Sequence, residues 1–430
     1  MIPIYINPPR SEWAELTARA TFSDDEITAT VERILAEVRT EGDRALERLT
    51  RQIEGRTAGG IVVSEKEIAE AEGLVPEELK DALDVAVHNI RRFHEAQRPA
   101  DVDVEVSAGV RCVQRAVAIQ RVGLYVPGGS APLFSTVLML AIPAEVAGCP
   151  EIVLCTPADK DGRVAPAVLY AARLCGVEHI YKVGGAQAVA AMAYGTETIP
   201  RVDKIFGPGN RYVTRAKQLV SAATVAVDMP AGPSEVLVLA DGSAPASFAA
   251  ADMLSQAEHG GDSQALLVCA EEGFAREVLA EIERQLAGLS RAETTAKALD
   301  NSRIVVLAER ASMIEFANAY AAEHLIIQMS EPWDVAGKIT AAGSVFIGAW
   351  SPESAGDYAS GTNHTLPTAG WARSFSGVNV ESFVRRITFQ ELTERGLGSL
   401  ARTITTMAEA EGLDAHAAAV KIRLNSKTKD

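Results

Sequence analysis

Apolar positions along the chain follow two different periods. In the stretch 23–50, "SDDEITATVERILAEVRTEGDRALERLT", Ile27, Val31, Ile34, Leu35 and Val38 fall on one face at helical spacing, behind Ser23 and Glu26 placed as a capping box. The pattern predicts an amphipathic helix. A second helix is predicted over "PEELKDALDVAVHNIRRFHEAQ", where Leu79, Leu83, Ala86, Ile90 and Phe93 share a face and His88 and His94, lying among charges, read as solvated structural residues. From about residue 120 short β-branched runs take over, "RVGLYV", "EIVLCTP", "HIYKV", "DKIF", "EVLVLAD", "ALLVCA", "RIVVL", "HLIIQM" and "SVFIG", separated by helical stretches. Strand and helix alternating at this spacing predict parallel βαβ units.

There are more such runs than one sheet holds comfortably, so the fold class is α/β with two doubly wound, Rossmann-like domains. The Gly- and Pro-rich "DMPAGPSE" is the crossing point between them. The expected organisation is an N-terminal arm over 1–22, one α/β domain over 122–235, a second, discontinuous one over 23–121 with 236–378, and a helical tail over 379–430.

Composition narrows the function. Of 430 residues 47% are hydrophobic and 23% charged, as in a globular enzyme, and no apolar run approaches the roughly 20 residues a bilayer span needs. The opening "MIPIYINPPR" has no basic segment followed by an apolar one, so a cytoplasmic location without membrane association is expected. With 41 basic against 57 acidic residues the net charge is −16, which disfavours a nucleic-acid partner. The five cysteines are odd in number, scattered and mostly set in apolar runs, and read as small buried hydrophobes.

Several polar clusters interrupt this background. The helical run "APASFAAADML" ends in "SQAEHGGDSQ", where Gln256 and His259 are three residues apart on one face before Gly260 and Gly261. The turn is either a frayed end with a glycine cap or half of a metal site. Glycines cluster after predicted strands in "YVPGGSAPL", "VGGAQAVAA" and "FGPGNRYV", as tight turns or as the wall of a nucleotide crevice, although Tyr212 stands where a dinucleotide fingerprint has its third glycine. In "AAEHLIIQ", Glu323 and His324 enter a strand, as a base and its neighbour or as loop residues with satisfied hydrogen bonds. The stretch "SPESAGDYASGTNHTLPT" has no apolar period and reads as a long loop carrying Asp357 and His364. In "AEAEGLDAH", Glu411 ends one helix and His416 enters the first turn of the next, an unfavourable place for a cation.

Taken in order, "GLYVPGGSAPLFSTVLMLAIPA", "VGGAQAVAAMAYGT", "DKIFGPGN", "DMPAGPSEVLV", "LSQAEHGGDSQ", "YAAEHLII", "SPESAGDYASGTNHTLPT" and "EGLDAH" resemble the histidinol dehydrogenases, from about residue 23 to about 424. The resemblance implies oxidation of L-histidinol to L-histidine through histidinaldehyde, by two hydride transfers to NAD, at the end of histidine biosynthesis. It implies Zn2+ held by Gln256, His259, Asp357 and His416, catalysis by Glu323 and His324, substrate contacts from Ser234, His364 and Glu411 as well as from His324 and the zinc ligands, and NAD contacts from Tyr125, Gln187 and Asn210. A homodimer is also implied, with the C-terminal segment of one subunit completing the partner's site. On the residues alone, a zinc hydrolase and a ligand-binding α/β protein with structural zinc are the competing classes. Glu258 takes a capping or supporting role.

Overall fold

The computed structural model describes residues 2–19, 25–56, 59–128, 132–230 and 232–426, so Ser23 of the expected capping box lies outside the described residues. In chain order the strands are β1 (Ile4–Ile6), β2 (Val102–Ser107), β3 (Val110–Ala118), β4 (Arg121–Tyr125), β5 (Glu151–Cys155), β6 (His179–Tyr181), β7 (Lys204–Phe206), β8 (Ala226–Val227), β9 (Glu235–Ala240), β10 (Gln264–Cys269), β11 (Arg303–Val306), β12 (His324–Gln328), β13 (Ser344–Ile347) and β14 (Val384–Leu392). They form a five-stranded sheet, β6-β5-β4-β7-β8, a six-stranded sheet, β1-β11-β10-β9-β12-β13, and a three-stranded sheet, β14-β3-β2.

Pairing in the two larger sheets is parallel throughout. Every residue of β9, β10 and β12 is buried, as strands covered by helices on both faces require. Two doubly wound α/β units are therefore present, and the chain passes between them in the segment after β8.

The distribution of the N-terminal third differs from the expected organisation. Val31, Ile34, Val38, Leu46 and Leu49 share a core with Val153, Val189 and Ile205 of the five-stranded unit. Leu83, Ala86 and Ile90 pack with Leu124, Leu138 and Leu154. The helices of 25–95 thus belong with 121–227, not with 236–378. An amphipathic stripe states how much of a helix is buried but not against which sheet. The N-terminal arm is likewise no appendage: β1 pairs with β11, Ile4 opposite Ile304, and Leu16 joins the core of the six-stranded unit.

Three local expectations are also corrected. The tail begins with β14, which runs antiparallel to β3 from Val384–Ala118 to Leu392–Val110, before the helices Glu394–Ala410 and Asp414–Asn425 pack on each other. The stretch 351–368 opens with a helix, Glu353–Tyr358, too short to display a period. His94 is fully buried, with Nδ1 2.8 Å from the Ile90 carbonyl oxygen, because its helix turns that position toward Asn363.

Candidate active site and metal centre

In a parallel sheet each connecting helix runs back against its strands, so helix C-termini gather at the edge where the strands begin. Here that edge collects the chemistry. Helix Ala246–Ala257 returns from β9 and delivers Gln256 and His259, helix Glu353–Tyr358 returns from β13 and delivers Asp357, and β12 starts there with Glu323 just before it and His324 as its first residue. Facing this edge is the opposite edge of the five-stranded sheet, where β4 ends in Tyr125 and β7 leads into Gly207. A cavity of about 60 Å³ lies between them, lined by Gly207, Gly209 and Lys217 on one side and Ser234, Glu323 and His364 on the other.

Glu323 and His324 are buried and held by the backbone of one residue, Glu235. The Glu235 N–H donates to Glu323 Oε2 at 2.9 Å, and the Glu235 carbonyl oxygen lies 3.3 Å from His324 Nδ1. The side chain of Glu235 is itself gripped by Arg19, at 3.0 and 2.7 Å, and accepts from the Ala369 N–H at 2.7 Å. Burial, with Glu235 and Asp357 nearby, raises the Glu323 carboxyl well above its usual range although the Glu235 N–H opposes the rise. Burial lowers His324 to about 3, with His259 adding to the effect, so its ring is neutral at pH 7. His324 Nε2 has no hydrogen-bond partner among the described residues and stands 3.8 Å from Asp357 Oδ1.

Gln256 is fully buried, and its amide is satisfied when its oxygen lies 3.0 Å from His259 Nδ1 and its nitrogen faces the Glu235 carbonyl and Glu353. Ligand atoms of His259, Glu353 and Asp357 lie within 4.8 Å of one another. Burial raises Asp357 to about 7. An amide oxygen, an imidazole nitrogen and carboxylates so close together, one of them made basic by burial, are a donor set that suits a divalent ion such as zinc. His364 bridges the two units, with Nδ1 3.0 Å from the Asp357 carbonyl oxygen and Nε2 3.3 Å from Thr136 Oγ1, and burial lowers it to about 4. Ser234 is half-buried on the cavity wall.

In the five-stranded unit Tyr125 is buried, its hydroxyl accepting from the Gly185 N–H at 3.0 Å, and burial raises it to about 12. Gln187 is buried with Nε2 3.3 Å from Glu54 Oε1. Asn210 caps helix Arg211–Ser221, its oxygen accepting from the N–H groups of Tyr212 and Val213 at 3.1 Å each. Gly207, at φ +121°, packs where a Cβ would collide with the Tyr125 carbonyl oxygen. Asp228 accepts from the Gly207 N–H at 2.8 Å, and Lys217, paired with Asp228, donates to the Gly207 carbonyl oxygen at 2.8 Å. The buried ion pair thereby holds both ends of the Gly207 residue.

Two site residues of the sequence reading are absent from this gathering. Glu411 and His416 are exposed at the turn between the two C-terminal helices, outside the group formed by His259, Glu353 and Asp357.

With the geometry in place, comparison with known proteins is informative. A family model described as histidinol dehydrogenase matches residues 17–424. The chain belongs to the histidinol dehydrogenase family. A histidinol dehydrogenase of Bacteroides thetaiotaomicron is 53% identical over 426 residues, covering 99% of this chain and 100% of that one. One of Escherichia coli is 52% identical over 409 residues, covering 95% and 93%. The crystal structure of histidinol dehydrogenase from Elizabethkingia anophelis matches with a TM-score of 0.96 at 49% identity over 98% of each chain.

Membership leaves several buried charged residues around the site to be explained, namely Glu353, Glu235, Lys217 and Asp228, which sequence reasoning passed over. Glu353 precedes Asp357 by one helical turn, a signal hidden when the stretch is read as a loop. Glu235 opens an otherwise apolar strand, which is an anomaly legible in "PSEVLVLA".

Proposed function

We propose that this chain oxidises L-histidinol to L-histidine by way of histidinaldehyde, with NAD as oxidant and zinc as resident metal, and that it works in the cytoplasm as a homodimer. The observation that carries this reading is the convergence of Gln256, His259 and Asp357 beside Glu323 and His324, across one cavity from the Gly207 loop. NAD, when bound, accepts a hydride in each of the two oxidations, and zinc, when bound by Gln256, His259, Asp357 and the partner's His416, anchors the substrate's nitrogen atoms. Tyr125, Gln187 and Asn210, all in the five-stranded unit, would contact the dinucleotide. No step needs a charged metal ligand beyond Asp357.

The residues then divide the proton work. His324, neutral and with Nε2 free, takes the hydroxyl proton of the alcohol and later that of the aldehyde hydrate. Glu323, whose carboxylate is supported by the Glu235 N–H, draws a proton from the water that adds to the aldehyde. His364 and Ser234 line the substrate space, and the partner's Glu411 accepts from the substrate imidazole N–H.

The homodimer is supported by the position of Glu411 and His416, which among the described residues lie outside the cluster of candidate ligands in their own chain, and by exposed apolar surface on β2 and on the C-terminal helices. Val102, Val104 and Val106 on the edge strand β2 are 50%, 46% and 59% exposed, and Met407 and Ile422 on the C-terminal helices are exposed as well. Among the described residues no helix is long and apolar enough to cross a membrane. Adding L-histidinol and NAD and following NADH absorbance tests the reading. A zinc hydrolase or a binding protein would give no signal.

A further inference from the structure

The amide nitrogen of Gln256 has two hydrogens and three acceptors in reach: the Glu235 carbonyl oxygen at 3.0 Å, Glu353 Oε1 at 3.1 Å and His324 Nδ1 at 3.0 Å. Its oxygen is 3.0 Å from His259 Nδ1. Turned the other way, the oxygen would press on the carbonyl and the carboxylate, and a nitrogen with no lone pair to give would face the metal position. We propose that Glu353 is a positioning residue: it holds the Gln256 amide with its oxygen toward zinc and, by taking one amide hydrogen, determines which nitrogen of His324 carries the ring proton. The inference rests on the zinc reading above.

The second half follows from counting hydrogens. When Glu353 and the Glu235 carbonyl take both amide hydrogens, His324 Nδ1 receives none. Its remaining partner is the Glu235 carbonyl oxygen at 3.3 Å, which requires a proton on Nδ1. That tautomer leaves a lone pair on Nε2, the nitrogen without a partner, where a base is needed. Without an acceptor at 353 the spare amide hydrogen passes to Nδ1, the ring proton moves to Nε2, and His324 presents a donor to the substrate. Glu353 is 1% exposed and 3.8 Å from His324 Nδ1, close enough to act on both residues through the one amide.

A competing role is direct ligation, since Glu353 Oε2 has no hydrogen-bond partner. The Gln256→Ala background separates the two: an orienting group has nothing left to hold there, whereas a ligand is still lost. The test compares the full-length wild-type protein with Glu353→Met and Glu353→Gln, each also combined with Gln256→Ala, measuring zinc affinity by competition with a chromophoric chelator. Glu353→Met is expected to weaken zinc by about 10–100-fold, the usual effect of losing a group that orients a ligand. Glu353→Gln keeps an acceptor and stays near wild type. In the Gln256→Ala background Glu353→Met costs nothing further, because there is no amide left to orient. Glu353→Ala serves as a second variant should the methionine not fold. In metal-free protein, imidazole nitrogen NMR is expected to show His324 protonated on Nδ1 in the wild type and on Nε2 in Glu353→Met.

Equal zinc loss in Glu353→Gln and Glu353→Met would make Glu353 a ligand and overturn the proposal. So would unchanged affinity in Glu353→Met, a loss that persists without Gln256, or an unaltered tautomer. A wild-type protein that binds no zinc would instead remove the metal reading itself, and this inference with it.

Discussion

The Glu235 N–H donates to Glu323 Oε2 at 2.9 Å, tying the carboxyl proposed to activate water to the strand next to its own. With His324 3.3 Å from the carbonyl of the same residue, the two groups share one backbone support, while the proposed mechanism assigns them to different halves of the reaction. His324→Asn is expected to slow oxidation of histidinol by about 10²–10⁴-fold, the ordinary worth of a positioned base. Glu323→Gln should impair the aldehyde-to-acid half most. Rates measured separately from histidinol and from histidinaldehyde check this, and equal damage to both substrates in both variants would refute the division of labour.

Metal removal should abolish activity and leave the fold in place. The two hydrophobic cores of the six-stranded unit contain none of the proposed zinc ligands, unlike the core of a zinc finger, which forms only around its ion. Circular dichroism before and after chelation is expected to be unchanged, with activity restored by added zinc.

Because Glu411 and His416 are exposed on their own subunit, mixed dimers offer a direct count of shared sites. His259→Ala and His416→Ala, each inactive alone, are unfolded together in equal amounts and refolded. Random pairing makes about half the dimers mixed, each with one cavity bearing both defects and one bearing neither, so roughly a quarter of wild-type activity returns. Size-exclusion chromatography confirms beforehand that both variants dimerise. No recovery from competent dimers would show that each chain builds its own site.

The buried pair at the Gly207 loop makes a prediction about stability. Lys217 and Asp228 are 7% and 2% exposed, and Lys217→Met leaves a carboxylate without its cation at a cost of about 3–5 kcal/mol. Lys217→Met combined with Asp228→Asn should recover much of this, since the amide still accepts from the Gly207 N–H. Urea denaturation midpoints measure both.

Asp241, just after β9, supplies the pH dependence. Burial would raise its pKa, but hydrogen bonds from Ser243 and Ser330 outweigh that and hold it at about 2, against 3.8 when unperturbed. A carboxyl with a lowered folded-state pKa stabilises fully above the unfolded value and loses that contribution as the pH falls through the folded one. Asp241→Asn should therefore be less stable than wild type at pH 7, with the gap closing between about pH 4 and pH 2. Unfolding midpoints across that range are the check, and a constant gap would count against it.

What could be read from the sequence depended on where the period was long enough to show. Gln256 and His259 are visible as a pair because the helix ahead of them is long and apolar, and β4 to β7 and β9 to β13 announce themselves by apolar, mostly β-branched runs, whereas the two-residue β8 does not. Asp357 was found as a residue but placed on a loop, because six residues of helix after Pro352 carry no stripe, and its neighbour Glu353 was lost with it. The helices of 25–95 showed their buried faces but not their sheet. Lys217 and Asp228 were invisible for another reason: they pair across two elements, and nothing in local spacing relates them.

The placement of β1 has a consequence for the order in which the molecule is made. Every strand of the five-stranded sheet, and the long helices packed on it, come from residues 25–227, with Val380 and Phe383 of a later 3-10 turn closing its core, whereas β1 waits for β11 and the six-stranded sheet is complete only at Ile347. During synthesis the five-stranded unit has its whole sheet before β9 exists, while β1 stays unpaired through the roughly three hundred residues that separate it from β11. The half-finished protein therefore carries one assembled sheet whose core still awaits Phe383, and a β1 that can join the second sheet only once β11 has been made.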